Sequence, residues 1–214
     1  AQGIERLDAM VVTHHDMDHI GGAASVLENF EVDALLSSLP AGHPLLGFVA
    51  AQRRCIAGEA WTWDAVRFEV LHPSSVDSET RKANNLSCVL KVRAGGRSML
   101  LTGDIERLAE AELVGRDPAA LPSDALLVPH HGSRTSSGAE FLHAVRPAVA
   151  IVAVGYRNRF GHPNAEVLER YFALEVKVFR TDRDGAVSVR LSESAMHIKS
   201  ERQARRRYWH DAPP

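Results

Sequence analysis

The sequence predicts an α/β protein, because short β-type runs alternate with helical stretches along most of its 214 residues. Runs such as 7–12 and 148–154 are short, apolar and rich in β-branched residues, which is typical of buried strands. Gly95 and Gly96 separate two further runs and predict a β-hairpin. Several strand-like runs end in histidine or aspartate, as expected where an α/β protein carries its chemistry.

Taken in order, the predicted strands are 7–12, 34–36, a pair within 61–71, 87–93, 98–102, 124–128, 148–154, 176–180 and 186–191. The predicted helices are 21–30, 45–54, 105–114, 137–145 and 164–172, the last with Asn164 as its N-cap. We expect one domain over 1–193 and a basic tail over 194–214. In that tail Tyr208 and Trp209 accompany a cluster of Lys and Arg, so it is either a contact for nucleic acid or a membrane face, or a solvated terminus.

Composition excludes several classes of protein. The net charge of −2 gives no general attraction to nucleic acid, and no apolar run approaches the roughly 18 residues of a membrane-spanning helix. Two cysteines, Cys55 and Cys88, define neither a disulfide framework nor a metal cluster, so we expect two buried apolar side chains. The unusual count is histidine, with 11 residues.

The densest histidine motif is Thr13-His14-His15-Asp16-Met17-Asp18-His19, between a predicted strand and the Gly21-Gly22 helix start. So many imidazoles and carboxylates in one loop would be costly without a cation to neutralise them. A dication favours ionised aspartate together with neutral histidine. The motif therefore predicts a metal site.

Three further motifs follow strands. Asp104 ends the run Leu100-Leu101-Thr102-Gly103, His130 and His131 follow Val128-Pro129, and His162 lies in Phe160-Gly161-His162-Pro163. Each motif is weak alone, but independent coincidence of all four is implausible.

Together these motifs resemble the metallo-β-lactamase superfamily, and within it the nuclease-like C-terminal domain of the ComEC family of DNA-uptake channel proteins. Segments 84–90, 101–106, 129–133, 154–163 and 180–186 carry the second resemblance, in which Asp16 replaces the histidine of the common superfamily motif. The resemblance implies a four-layer αββα sandwich. The superfamily's early strands have no counterpart before residue 10, so we expect the sandwich to lack its N-terminal strands.

The resemblance also implies residue roles. His14 and Asp16 would hold one metal, Asp18 and His19 the second, and Asp104 would bridge them. His131 would complete the ligand set, although His130 and His131 are interchangeable at this point. Catalytic roles fall to Asp18, His130 and His162, and substrate-binding roles to Asn85, Ser133, Arg157 and Arg159. We also expect Ser136 and Ser137 to lead into a helix whose N-terminus binds phosphate.

The expected activity is a two-metal phosphodiesterase that cleaves single-stranded DNA during natural transformation. Three aspartates among the ligands favour Mn²⁺ and leave Zn²⁺ open, with no small organic cofactor. The expected partners are DNA and the membrane channel domain of the parent protein, on the extracytoplasmic side of the inner membrane. Two alternatives are another hydrolase on this scaffold, such as a phosphorylcholine esterase or lactonase, and an inactive scaffold module of the channel.

Overall fold

The computed structural model describes residues 3–75 and 82–206. The strands in these ranges are β1 (Arg6–Leu7), β2 (Met10–Val12), β3 (Glu31–Val32), β4 (Leu35–Ser37), β5 (Gln52–Arg54), β6 (Ala60–Trp63), β7 (Val66–His72), β8 (Val89–Ala94), β9 (Arg97–Leu101), β10 (Ala125–Leu127), β11 (Val149–Val152), β12 (Lys177–Arg180), β13 (Val187–Leu191) and β14 (Met196–Ser200). The α-helices are α1 (Met17–Ile20), α2 (Ala23–Asn29), α3 (Arg107–Arg116), α4 (Ala139–Val145), α5 (Ala165–Ala173), α6 (Thr181–Asp184) and α7 (Glu201–Ala204). Short 3₁₀ turns occur at Pro44–Phe48, Ala83–Leu86, Pro118–Ala120 and Pro129–Gly132.

A seven-stranded mixed sheet forms the centre of the fold, in the order β12-β11-β10-β9-β8-β7-β6. Strands β9 to β12 run parallel to one another, whereas β6 to β9 are joined as antiparallel neighbours. The parallel half carries the helical crossovers α3, α4 and α5. The carboxyl ends of β9, β10 and β11 therefore open on the same edge of this sheet.

A second, smaller sheet contains the parallel strands β2, β4 and β5. Leu36 from this sheet packs with Val70 and Leu90 of the large sheet, which places an apolar layer between the two sheets. On the outer face of the small sheet, Leu35 packs against Leu27 of α2.

Helices cover the outer face of the large sheet. There Leu100, Leu126 and Ala150 pack against Phe141 of α4 and Tyr171 of α5. The order of layers is helix, sheet, sheet, helix, so the predicted αββα sandwich is confirmed. Successive side chains of a strand point to opposite faces of the sheet. Those of the large sheet therefore face either the helices or the layer between the sheets.

A disulfide joins the two sheets. Cys55 follows β5, Cys88 precedes β8, and their sulfur atoms are bonded in the buried layer between the sheets. The expectation of two separate apolar side chains is wrong, because the packing of the two sheets brings residues separated by 33 positions to a Cα–Cα distance of 5.6 Å.

Most predicted elements are confirmed, including the hairpins around 64–65 and 95–96 and the capping of α5 by Asn164, whose Oδ1 accepts from Glu166 N at 3.0 Å. The helix predicted at 45–54 is wrong. A proline-initiated 3₁₀ turn occupies its first half, and β5 pairs with β4 in its second half. Tertiary pairing overrides a helical pattern that Gly47 already weakens.

The chain continues in regular structure past residue 193. Strand β14 pairs with β13, and their apolar side chains cover Val149, Ile151 and Phe179 on the inner face of the large sheet. The division into a domain and a tail at this position stays a prediction, and Arg207, Tyr208 and Trp209 lie outside the described residues. Within ranges 3–75 and 82–206, no helix has the length and apolarity that crossing a bilayer requires.

Candidate metal centre

The loops after β2, β9 and β10 meet where the edges of the two sheets come together. Cys88 N donates to Thr13 O at 3.0 Å and ties the loop after β2 to the segment before β8, while His130 N donates to Gly103 O at 3.2 Å and joins the loops after β9 and β10. Gly103 has a φ of 54°, and a Cβ there would lie 2.9 Å from the Ser87 Cβ. Glycine is required at this point because the backbone is left-handed and its neighbours are close.

Four side chains form a compact ligand group: Asp18, His19, Asp104 and His131. One ligand atom from each lies within 4.8 Å of the other three. The Nε2 of His131 lies 3.2 Å from Asp18 Oδ2 and 3.3 Å from Asp104 Oδ2, and the Nε2 of His19 lies 3.2 Å from Asp104 Oδ1. Imidazole nitrogens and carboxylate oxygens that converge in this way are the donor set of a divalent transition-metal ion.

A second group, His14 and Asp16, lies beside the first. The Nε2 of His14 is 3.6 Å from Asp16 Oδ2 and 4.0 Å from Asp104 Oδ2. Its ring centroid is 4.2 Å from that of His19, so the two groups are adjacent. The buried Asp104 carboxylate contacts both groups, as a carboxylate shared by two cations would have to.

The unpartnered nitrogens of this cluster fit a bound cation. His14 Nε2 and His19 Nε2 are buried without a hydrogen-bond partner among the described residues, because the carboxylates near them are not in hydrogen-bonding geometry. Unpaired buried polar atoms are costly, and a cation that accepts both lone pairs removes the cost.

The electrostatics of the cluster also suit a cation. Burial, reinforced by the neighbouring His19, lowers the pKa of His14 to about 4, so this ring is neutral and its lone pair is available at neutral pH. Burial alone would raise the pKa of Asp104, but the imidazoles of His131 and His19 outweigh it and hold that pKa below its usual range. A neutral His14 beside an ionised Asp104 suits a bound cation. The Asp104 carboxylate raises the pKa of His131 to about 9, so this ring must lose a proton when a cation binds.

Neighbouring groups orient the ligands. The Nδ1 of His131 donates to the Ala153 carbonyl at 2.7 Å, which orients the ring so that its Nε2 is directed at the cluster. The Oγ of Ser87 lies 3.3 Å from His14 Nδ1 and accepts from Asp104 N at 3.1 Å. The Oγ1 of Thr13 lies 3.1 Å from His14 Nδ1 and 3.3 Å from His19 Nδ1.

His130 and His131 both face Asp104, with Nε2 atoms 4.0 Å and 3.3 Å from its Oδ2, but they have different neighbours. His130 lies in the wall of the site, with its Nε2 3.4 Å from Asn84 Nδ2 and its Nδ1 3.7 Å from Glu106 Oε1. Both histidines have a left-handed backbone, with φ of 49° and 54°. This conformation is costly for residues with a Cβ and is typical of functional sites.

The structure brings His162 close to His130. The His162 ring centroid is 6.0 Å from that of His130, and the Pro163 side chain packs on Gly132 so closely that a Cβ on this glycine would clash. Arg157 and Arg159 are exposed on the same loop as His162. Ser133 is buried, and its hydroxyl lies 3.1 Å from Thr135 Oγ1.

Two predicted substrate contacts are engaged by other residues of the chain. Asn85 is buried, its Oδ1 accepts from Glu106 N at 3.1 Å, and its Nδ2 donates to Glu106 Oε2 at 3.4 Å, so its amide supports this loop and its role toward substrate stays a prediction. The phosphate site predicted at the helix after Ser137 is wrong. The buried Glu110 carboxylate accepts from Ser137 N at 2.5 Å and from Gly138 N at 2.8 Å, and it occupies the place of an anion.

Sequence reasoning missed Ser87, Thr13 and Glu106 as supporting residues of the site. Thr13 precedes His14, and Glu106 lies two positions after Asp104. This closeness in sequence to predicted ligands could have indicated their supporting role. Ser87 lies 17 residues from Asp104, and only the pairing of β8 with β9 brings the two together.

Comparison with known proteins matches residues 1–156 to the metallo-β-lactamase superfamily model. The chain is 38% identical to competence protein ComA of Neisseria gonorrhoeae over its whole length, and 36% identical to ComE operon protein 3 of Bacillus subtilis over 89% of its length. It spans 29% and 25% of these two relatives, respectively. Among solved structures, the diiron β-hydroxylase CmlA of Streptomyces venezuelae shares the fold, with a TM-score of 0.54 and 15% identity over 92% of this chain and 45% of that one.

Proposed function

Because the chain belongs to the metallo-β-lactamase superfamily, we propose that its histidine–aspartate cluster holds two divalent cations and hydrolyses phosphodiester bonds in single-stranded DNA. The observation that carries this proposal is the position of Asp104, whose buried carboxylate lies within 4.0 Å of the Nε2 atoms of His14, His19 and His131. The Neisseria relative is a competence protein, which supports DNA as the substrate.

In this proposal His14 and Asp16 hold one cation, Asp18, His19 and His131 hold the other, and Asp104 bridges them. Divalent cations in such a site supply Lewis acidity toward a phosphate ester and an attacking water molecule. Three carboxylates among six ligands make the donor set hard, which favours Mn²⁺ over Zn²⁺.

The remaining chemistry falls to side chains of the chain itself. The side chain of Asp18 is 62% exposed, compared with 44% for Asp16 and 5% for Asp104. Asp18 is therefore the ligand carboxylate best placed to take up the proton that water releases when it attacks phosphorus. Burial and the neighbouring His130 lower the pKa of His162, so at neutral pH this ring acts as a neutral hydrogen-bonding group toward the leaving oxygen.

We further propose that the chain is the extracytoplasmic part of a membrane-embedded DNA-uptake protein. Two observations support this location. The chain spans less than a third of its relatives, which leaves room for a channel domain. The Cys55–Cys88 disulfide is typical of oxidising compartments.

The test is Mn²⁺-dependent cleavage of a single-stranded oligonucleotide by the 214-residue chain. We expect cleavage that EDTA abolishes and that Asp104→Asn lowers by at least about 100-fold, a loss typical of removing a key electrostatic group. The matched control is Asp124→Asn, which removes a carboxylate paired with Arg97 at the opposite end of β10. Cleavage of a small ester or lactone without cleavage of DNA would favour another hydrolase. Metal binding without hydrolysis would favour a scaffold.

A further inference from the structure

We propose that the 156–160 loop is a base-stacking subsite, in which Tyr156 and Phe160 receive unpaired nucleobases beside the metal centre. The inference rests on the proposed function for the kind of substrate, and it adds the residues that select single strands over duplexes. Phe160 and Tyr156 are 67% and 60% exposed, although both are large and largely apolar. Neither packs into any of the four apolar cores of the described chain.

The exposure of these rings is built into an ordered loop. Asn158 Nδ2 donates to His162 O at 2.7 Å, and its Oδ1 accepts from His162 N at 3.0 Å. Asn158 N donates to Gly155 O, and Gly161 N donates to Asn158 O. Hydrogen bonds through Asn158 therefore order the loop, and its two aromatic side chains are exposed.

A series of rings connects the loop to the metal centre. The Phe160 and His162 rings are stacked, with centroids 5.9 Å apart and planes inclined by 18°. The His162 centroid is 6.0 Å from that of His130, which is 6.4 Å from that of the ligand His131. A strand whose scissile phosphate reaches the cluster would thus leave it along a row of rings that ends at Phe160.

Charge on the loop matches a polyanion with flat bases. The Arg159 guanidinium carbon lies 4.9 Å from the Phe160 centroid, and that of Arg157 lies 5.1 Å from the Tyr156 centroid. Each aromatic ring therefore has one guanidinium beside it. In a nucleotide, likewise, each base is accompanied by one phosphate. Aromatic stacking combined with cationic backbone contacts is the general way in which proteins bind single strands without sequence preference. Bases in a duplex are stacked on one another and are not available to the loop.

The experiment compares two labelled strands of equal length, an oligothymidylate and an abasic deoxyribose-phosphate strand. Binding to the 214-residue chain is measured in EDTA, so that the result does not depend on cleavage. We expect Phe160→Ala and Tyr156→Ala each to weaken oligothymidylate binding about fivefold or more and to leave binding of the abasic strand within about twofold. Phe172→Ala is the matched control, since this phenylalanine on α5 is also 60% exposed. It should change neither affinity.

If Phe160→Ala and Tyr156→Ala weaken binding of both strands equally, or weaken binding of neither, the subsite is overturned. Hydrolysis of bis(p-nitrophenyl) phosphate with Mn²⁺ separates this failure from failure of the proposed function, because that substrate is too small to need the loop. Suppose that the variants hydrolyse this substrate as fast as the unmodified chain does, and that their affinity for the oligothymidylate changes no more than that for the abasic strand. The subsite is then wrong and the phosphodiesterase stands. If the unmodified chain does not hydrolyse it, while base-dependent binding still requires Phe160, the subsite stands and the phosphodiesterase is wrong.

Discussion

Ser87 makes a sharp test of how the ligands are oriented, because one hydroxyl contacts two of them. Its Oγ accepts from the backbone N–H of Asp104 at 3.1 Å and lies 3.3 Å from Nδ1 of His14. A hydroxyl oxygen has two lone pairs and can accept from both groups. If Nδ1 of His14 carries the proton, its Nε2 has the free lone pair that a cation requires.

The loss of stability expected for Ser87→Ala follows from the polar groups that the substitution leaves without a partner. His14 Nδ1 keeps Thr13 Oγ1 as a partner at 3.1 Å, whereas the Asp104 N–H loses its acceptor in a buried place. One unsatisfied buried donor costs about 1–3 kcal/mol, which in a chain of this size lowers the Tm by roughly 2–12 °C. Metal affinity should fall about 10- to 100-fold, as it does when other outer residues that orient ligands are removed.

The assay is Mn²⁺ binding by calorimetry, together with thermal unfolding of the metal-free chain. Ser123→Ala is the control, since Ser123 is also buried and its Oγ donates to Leu121 O at 2.9 Å, far from the cluster. It should affect stability without affecting metal affinity. Unchanged metal affinity in Ser87→Ala would refute the orienting role, and a loss equal to that of the control would do the same.

Three further predictions concern stability. Replacing Cys55 and Cys88 together by serine should lower the free energy of unfolding in urea by about 3–4 kcal/mol, because the cross-link spans 33 positions; stability equal to that of the oxidised chain would contradict this. Gly103→Ala should cost about 1–3 kcal/mol and weaken metal binding, because φ is 54° and the new Cβ meets a side chain at 2.9 Å. Gly115→Ala, in open space on α3, should be neutral or stabilising in the same unfolding assay. Burial raises the pKa of Glu110 to about 7 from 4.5, so the native state holds the extra proton between these values. The free energy of unfolding should therefore fall by up to about 3 kcal/mol as pH rises from 4.5 to 7, and a pH series on Glu110→Gln should show this fall removed.

Sequence patterns were sufficient for the parts of the fold that local chemistry dictates. The β-branched run before His14 became β2, the paired glycines made the β8–β9 turn, and Asn164 capped α5. The motifs at strand ends also meet in space, since parallel strands end on one edge of a sheet.

Features that depend on distant residues were out of reach of the sequence. The Cys55–Cys88 bond depends on how the two sheets pack. Glu110 fills the start of α4 only because α3 lies against it. The orientation of the His131 ring depends on the Ala153 carbonyl, 22 positions away in the chain. No local pattern reports any of these contacts.

The number of Mn²⁺ ions bound per chain tests the central claim most directly. Equilibrium dialysis followed by elemental analysis should find two ions for the unmodified chain and fewer for Asp104→Asn, since a bridging carboxylate contributes to both sites. His131→Ala should lose one ion and retain the other, held by His14 and Asp16. A chain that binds no Mn²⁺, or one whose binding is the same with and without the Asp104 carboxylate, would contradict the account.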